Sequence, residues 1–322
     1  MKARIALTLL SLWVVATLNF LLPRWLPGDP LAALLDPDSS SYVYNAEVRG
    51  ALEAYYGLDR PLAAQYGDYL TGALSGDLGR SIRLNRPVAD LLRERLPWTL
   101  LLTLSAMAAA SLIGVIAGSE AAWRRRSPAD RLLVAASVLA SNIPVFFTGM
   151  ILLIVFGVEL RWLPLAGGRT PFAQYDSVLD QARDYAEHLL LPALTLALAL
   201  VGSKFLLVRN SMIGVLGEDF MLVARAKGLP PRRLKSRHAL RNAIVPFVHH
   251  LAAHASFALT GALFIETLFN YPGMGRLIFE SVVARDYPVI QGVFLAVSAL
   301  VLAANLLADW LTTRLDPRTQ EV

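Results

Sequence analysis

Apolar residues gather in six blocks, at about 5–22, 98–118, 132–156, 188–208, 243–264 and 289–311, with polar stretches between them. A bilayer core of about 30 Å is crossed by roughly 20 residues rising about 1.5 Å each, and every block meets that length. The pattern predicts an all-α membrane protein with six transmembrane helices. The third block contains Asn142-Ile143-Pro144, and its proline removes a helical hydrogen bond and predicts a break. The fifth carries His249, His250 and His254. Lys2 and Arg4 precede the first block as they would in a signal peptide. However, Leu21-Leu22-Pro23-Arg24 is no small-residue cleavage site, and a retained first helix, 1–22, is expected.

The polar stretches are patterned too. Residues 23–97 read as an extracytoplasmic cap, with short amphipathic helices at 47–56 and 62–74 separated by Gly57-Leu58-Asp59-Arg60-Pro61. Gly76-Asp77-Leu78-Gly79 makes a turn, and Val88, Leu91, Leu92 and Leu96 share one helical face leading into the second block. The remaining 98–322 form a five-helix core. Within it, Phe269-Asn270-Tyr271-Pro272-Gly273-Met274-Gly275 suggests irregular backbone of the kind that lines a cavity. Residues 209–242 read as a helix–turn–helix. Glu218 and Asp219 suit the positive end of a first helix, Lys227-Gly228 closes it, Pro230-Pro231 reset the chain, and a second basic helix, 232–242, runs into the fifth block. Attraction to anionic lipid explains the net charge of +6 from Arg209 to Asn242 but not the two helices.

Composition agrees. Of 322 residues, 55% are hydrophobic and 17% charged, against about 25% charged in soluble domains. There is no cysteine, which excludes disulfides, thiolate catalysis and Cys-ligated metal. A net charge of +5 and a pI near 9.6 would suggest nucleic acid in a soluble protein. Here the charge sorts by side. With both termini cytoplasmic, 17 basic and 7 acidic residues lie inside and 13 basic and 18 acidic outside. That is the positive-inside signal. It predicts a multi-pass protein, N-in and C-in, in contact with the lipid bilayer and not with nucleic acid.

Candidate chemistry is sparse. No Gly-x4-Gly-Lys-[Ser/Thr] loop is present to hold nucleotide phosphates, and no catalytic residues are assigned. His250 and His254 stand at i,i+4, a weak metal pair with no acidic third ligand nearby; polar helix–helix contact is the alternative. The histidines and Glu266 would also be the ionisable groups of a proton-coupled secondary transporter, although no inverted repeat is apparent.

Ala224-Arg225-Ala226-Lys227-Gly228-Leu229 followed by His238-Ala239-Leu240-Arg241-Asn242 resembles the EAA loop of ABC importer permeases, in the form used by the dipeptide, oligopeptide and nickel branch. The likeness continues in Pro27-Gly28-Asp29-Pro30, Tyr56-Gly57-Leu58-Asp59-Arg60-Pro61-Leu62, Gly76-Asp77-Leu78-Gly79-Arg80-Ser81, Ile143-Pro144-Val145-Phe146, Leu191-Pro192-Ala193, Glu266-Thr267-Leu268-Phe269, Arg285-Asp286-Tyr287-Pro288 and Asp316-Pro317-Arg318. It departs from the general loop in Leu222-Val223-Ala224, where Glu-Ala-Ala is usual, in the His238–Arg241 stretch, and in Asn142, where serine or glycine is expected.

The resemblance implies a permease subunit in a bacterial cytoplasmic (inner) membrane. Its partners would be a second homologous permease, two cytoplasmic ATPase subunits or domains, and an extracytoplasmic substrate-binding protein. The chain itself would bind no cofactor; ATP and Mg would sit on the ATPases. It also implies that Glu218, Asp219, Ala224 to Gly228 and His238 to Asn242 form the ATPase-coupling loop, 218–242. Asn142, Pro144, Glu266, Phe269, Tyr271, Pro272 and Gly273 are pathway or gate candidates. The implied cargo is a di- or oligopeptide, with nickel or a metal chelate as the alternative within the family.

Overall fold

The structure, a computed structural model, describes residues 2–25, 31, 46–253 and 255–315. Among them there is no strand, only an isolated bridge between Arg80 and Pro87. The helices are α1 (Lys2–Trp25), α2 (Ala46–Tyr55), α3 (Leu62–Ser75), α4 (Val88–Trp123), α5 (Pro128–Asn142), α6 (Val145–Leu152) and α7 (Val178–Leu216). They continue with α8 (Asp219–Ala226), α9 (Pro231–Arg233), α10 (Arg241–Ala253), α11 (Ala255–Leu268), α12 (Met274–Ala284) and α13 (Tyr287–Leu315). Two stretches widen to π-helical turns, Leu153–Glu159 after α6 and Leu234–Leu240 between α9 and α10.

Three described helices are long and apolar enough to cross a membrane: Val88–Trp123, Val178–Leu216 and Tyr287–Leu306. The third apolar block is broken where Pro144 forbids continuation, and Pro128–Asn142 and Val145–Glu159 pass the same test only as a pair bent by 102°. The chain is therefore an all-helical membrane protein with three or four spans evident by length. The fifth block is distributed over α10 and α11, on either side of residue 254, which lies outside the described residues.

The chain divides into two compact units. One comprises residues 1–98 and 272–303. In it Val88, Leu91 and Leu92 pack with Met274, Leu277, Val289 and Val293, so that the predicted apolar face of early α4 finds its partners on α12 and α13. Asp286 is the polar knot of this unit. Its buried carboxylate accepts hydrogen bonds from the Ser81 hydroxyl and from the backbone N–H groups of Ile82 (3.1 Å) and Arg83 (3.2 Å).

The other unit comprises residues 99–271 and 304–322, and α7 is its mast. In lipid there is little hydrophobic drive between helices, so close van der Waals packing at small residues holds a bundle together. Glycines let three neighbours approach. A Cβ at Gly114 or Gly118 of α4 would stand 2.8 Å from Lys204 Cβ or 2.7 Å from the Phe205 carbonyl oxygen of α7. A Cβ at Gly149 of α6 would stand 3.1 Å from Thr195 Cγ2 of α7 and 2.6 Å from Leu268 Cδ2 of α11. On α7 itself, a Cβ at Gly202 would collide with Ser141 Oγ and lie 2.5 Å from the Ser137 carbonyl of α5.

Gly202→Ala should therefore force α5 and α7 apart, with the roughly 1–3 kcal/mol typical of overpacking. A lower melting temperature in detergent is expected. Gly214→Ala, also on α7 but facing open space, should leave it unchanged; equal effects would remove the packing argument.

Candidate functional site

The helix pair predicted over residues 209–242 has its first helix in α8. Glu218 occupies the N-cap position in extended conformation, and Asp219 lies in the first turn, where a carboxylate meets the positive end of the helix. At the other end the Gly228 N–H donates to the Arg225 carbonyl at 2.9 Å, with Gly228 in the left-handed region at φ +72°, as the predicted glycine closure requires. The eight residues of α8 have two apolar faces. Met221 and Ala224 turn inward, while Phe220, Leu222 and Val223 remain 41%, 69% and 52% exposed.

The inward face is clamped. Met221, Ala224, Leu234, Ala239 and Ala243 form a buried cluster with Ala122 of α4 and Met212 of α7. Lys235 pairs with Glu120. The outer edge of the pair carries Arg225, Ala226, Lys227, Gly228, Arg241 and Asn242 in exposed positions, with His238 and Leu240 half-buried. Asn242 donates its side-chain amide to the His238 carbonyl at 2.8 Å.

A second clamp fixes the neighbouring turn between α4 and α5. Ser127 caps α5 by accepting from the Asp130 N–H at 3.1 Å, and Asp130 accepts from the Arg126 N–H at 2.9 Å. Arg209 of α7 then donates to both oxygens of Asp130, from Nε at 2.7 Å and Nη2 at 2.9 Å. The hydrogen bonds and charge of Arg209 hold the Asp130 carboxyl below the usual carboxylate range. Local pattern offers only Ser127-Pro128-Ala129-Asp130, a capping-box spacing, and no hint of Arg209.

The predicted pathway residues separate into three groups. Asn142 and Pro144 are exposed at the bend between α5 and α6, where Asn142 donates to the Val138 carbonyl at 2.7 Å. Glu266, Phe269 and Tyr271 are buried at the end of α11. There the Thr99 hydroxyl donates to Glu266 Oε1 at 2.6 Å. Asn270 takes φ +51°, the Asn270 N–H reaches the Thr267 carbonyl (3.3 Å), and the Tyr271 N–H reaches that of Glu266 (2.8 Å). This is a Schellman closure with asparagine as the left-handed residue. The Phe269 carbonyl accepts from the Gly167 N–H at 2.9 Å, which ties the 160–177 loop to the same turn. Pro272 and Gly273 belong to the other compact unit, where Gly273 caps α12.

That loop has its own anchor, one absent from the sequence expectations. Asp184, near the start of α7, accepts from the Thr170 N–H (2.8 Å), the Thr170 hydroxyl (2.5 Å) and the Tyr175 hydroxyl (2.7 Å). Desolvation opposes its ionisation, yet these bonds keep its carboxyl below the ordinary range. Among the described residues no group of three or more His, Asp and Glu side chains could hold a metal ion. His250 lies on α10, and His254, its predicted companion, lies outside the described residues.

An apolar helical bundle with a clamped helix pair at one end defines an integral membrane protein of the helical-bundle class. Over residues 110–321 the chain matches the family described as "Binding-protein-dependent transport system inner membrane component". It is 39% identical, over 95% of its length and 94% of the relative's, to the glutathione transport system permease protein GsiC of Escherichia coli O6:H1 strain CFT073. The proteins of that name from Escherichia coli strain K12 and Shigella dysenteriae serotype 1 strain Sd197 are each 38% identical over the same shares. The chain belongs to this family and is a permease subunit of an ABC importer.

Removing Asp130 leaves Arg209 half-buried without its carboxylate, the costly way to break such a pair, at about 3 kcal/mol or more. Asp130→Ala should lower the melting temperature in detergent markedly. A folded-state pKa below the unfolded value of about 3.9 gives stability present above that pH and lost as pH falls through the folded value. The pair should therefore contribute equally at pH 7 and pH 5 and fade below about pH 4. A wild-type minus Asp130→Ala difference already shrinking between pH 7 and pH 5 would contradict the assignment.

Proposed function

We propose that the chain forms the translocation pathway of a small-peptide importer with a second homologous permease, both driven by cytoplasmic ATPase subunits through residues 218–242. The observation that carries this reading is the two-faced α8. Met221 and Ala224 join it to α4 and α7, and Phe220, Leu222 and Val223 leave an apolar surface of three side chains for a partner. Closure of the ATPases on ATP and Mg would push α8, and the clamp would carry the displacement into α7 and α10 as a two-state rearrangement. An extracytoplasmic binding protein would deliver cargo. The relatives named for glutathione, a tripeptide, favour a peptide cargo.

In this reading both termini are cytoplasmic, six helices cross the inner membrane, and residues 23–97 lie outside. Cysteine scanning is clean in a chain with no cysteine. An impermeant thiol reagent on intact spheroplasts should label Leu74→Cys and Phe172→Cys, both at highly exposed positions, and spare Ser236→Cys on the inner helix pair. Labelling of Ser236→Cys, or protection of the other two, would overturn the orientation.

The lever is tested at Gly228. No atom stands within 4 Å of a Cβ built there, so a side chain meets only the backbone penalty of about 1 kcal/mol, unless a partner docks against it. Gly228→Ala should be nearly normal in transport. Gly228→Asp should abolish uptake and ATPase co-purification at an unchanged membrane level, while Gly217→Asp, at φ −91°, should be milder. Normal uptake by Gly228→Asp would remove the coupling assignment.

A further inference from the structure

The unit made of residues 1–98 and 272–303 carries an open cavity of about 290 Å³ between α1, α3, the 77–82 turn and the start of α13. Two side-chain donors among its lining residues are unspent. Gln291 is only 8% exposed, and its Nε2 has no hydrogen-bond partner; nor has the buried Tyr69 hydroxyl. Buried donors of this kind are normally satisfied, so each points to a group that completes it. Arg24 supplies the charge. Its guanidinium lies 3.6 Å above the Phe20 ring and donates to the Phe20 carbonyl (2.8 Å) and to Gln65 Oε1 (2.8 and 3.3 Å). That uses three of its five N–H groups, and none of the described carboxylates forms an ion pair with it. The Tyr69 ring packs on the same Phe20 ring at 5.7 Å, which keeps hydroxyl and guanidinium in one corner.

We propose that this cavity is a binding site for the carboxylate of a small zwitterionic solute, held by Arg24, Tyr69 and Gln291. One fixed cation and two neutral donors match a single negative charge and the planar fork of a carboxylate. At the rim stand two exposed carboxylates, Asp68 paired with Arg60 and Asp77 accepting the Gly79 N–H at 3.0 Å. Asp68 is already matched by Arg60, so Asp77 is the carboxylate that disfavours a polyanion and suits the ammonium of the same ligand. The ligand class is thus a free amino acid or short peptide. Only its identity with the imported cargo rests on the small-peptide reading above; the site would be a station for cargo on the face assigned there to the outside.

The test uses the full chain in phosphatidylcholine nanodiscs, titrated with Ala-Ala and with its C-terminal amide by calorimetry. Ala-Ala should bind saturably and the amide about tenfold more weakly, the loss of a charge-assisted contact. Gln291→Leu removes an unmet buried donor, so it should raise the melting temperature of the ligand-free protein while weakening Ala-Ala about tenfold. A merely structural glutamine would not divide the two readouts in this way. Tyr69→Phe, which keeps the ring on Phe20, should weaken binding without loss of fold.

Equal affinity for acid and amide, or undiminished binding by Gln291→Leu, would overturn the site. So would displacement of Ala-Ala by inorganic phosphate at equal affinity, or its exclusion by phosphatidylglycerol discs, which would assign the donors to free phosphate or to a lipid headgroup. Peptide uptake by the assembled importer is scored separately. Uptake without Ala-Ala binding overturns the station and leaves the import reading standing; binding without uptake supports the site and overturns the cargo.

Discussion

How closely other helices can approach α7 decides the rest of the core. Lipid chains are as apolar as leucine, so leucines and valines facing them give little reason for helices to assemble. Contact has to come from short distances, and short distances come from the absence of side chains at Gly114 and Gly118 on α4 and at Gly202 on α7. Once the axes are that close, dispersion acts along whole turns. The C-terminal ends of α4 and α7 then fall side by side, and Ala122 and Met212 make one surface for α8. A bulky residue at any of the three glycines would act at a distance, by moving the surface on which the α8 helix pair rests.

Much of this was legible in the chain because it is local. The break at Pro144, the helices α2 and α3, the start of α8 at Asp219 and the left-handed Gly228 all follow from backbone rules that act over a few residues. Helix length was not legible. Apolar blocks mark where lipid lies, and α4 and α7 begin about ten residues earlier, at Val88 and Val178, in polar stretches whose helical backbone satisfies itself. Partnerships were the least legible. Arg209 lies 79 residues from Asp130 and Ser81 205 residues from Asp286, and nothing in either local pattern announces the other member.

The placement of polar clamps follows one physical rule. An ion pair or a many-bonded carboxylate is expensive in hydrocarbon and affordable at its edge. Asp130 with Arg209, and Glu120 with Lys235, stand at the ends of α4, α5 and α7 beside the basic turn between α4 and α5. Asp184 anchors the loop at the opposite end of α7. Between these ends the helix packs through Gly202 and apolar side chains such as Leu196, Val201 and Phe205, with Thr195 and Lys204 buried among them. Such a helix is fixed at both termini by directional bonds and along its length by non-directional packing. That combination resists local deformation and permits displacement as a body.

This division bears on what the α8 helix pair can transmit. Had α8 been joined to α7 only by a flexible turn, a push on it would be absorbed by backbone rotation at Gly217 and Gly228. Instead Met221 and Ala224 are buried against Met212 and Ala122, and Lys235 ties the following turn to Glu120. Close-packed interiors have low compressibility and repack between discrete arrangements rather than bending continuously. A displacement of α8 therefore has two routes. It can unpack the cluster, exposing Met221 and Ala224 to water, or it can carry α7 and α10 with it. Exposure of the cluster has nothing to offset it, so motion of the attached helices is the favoured response.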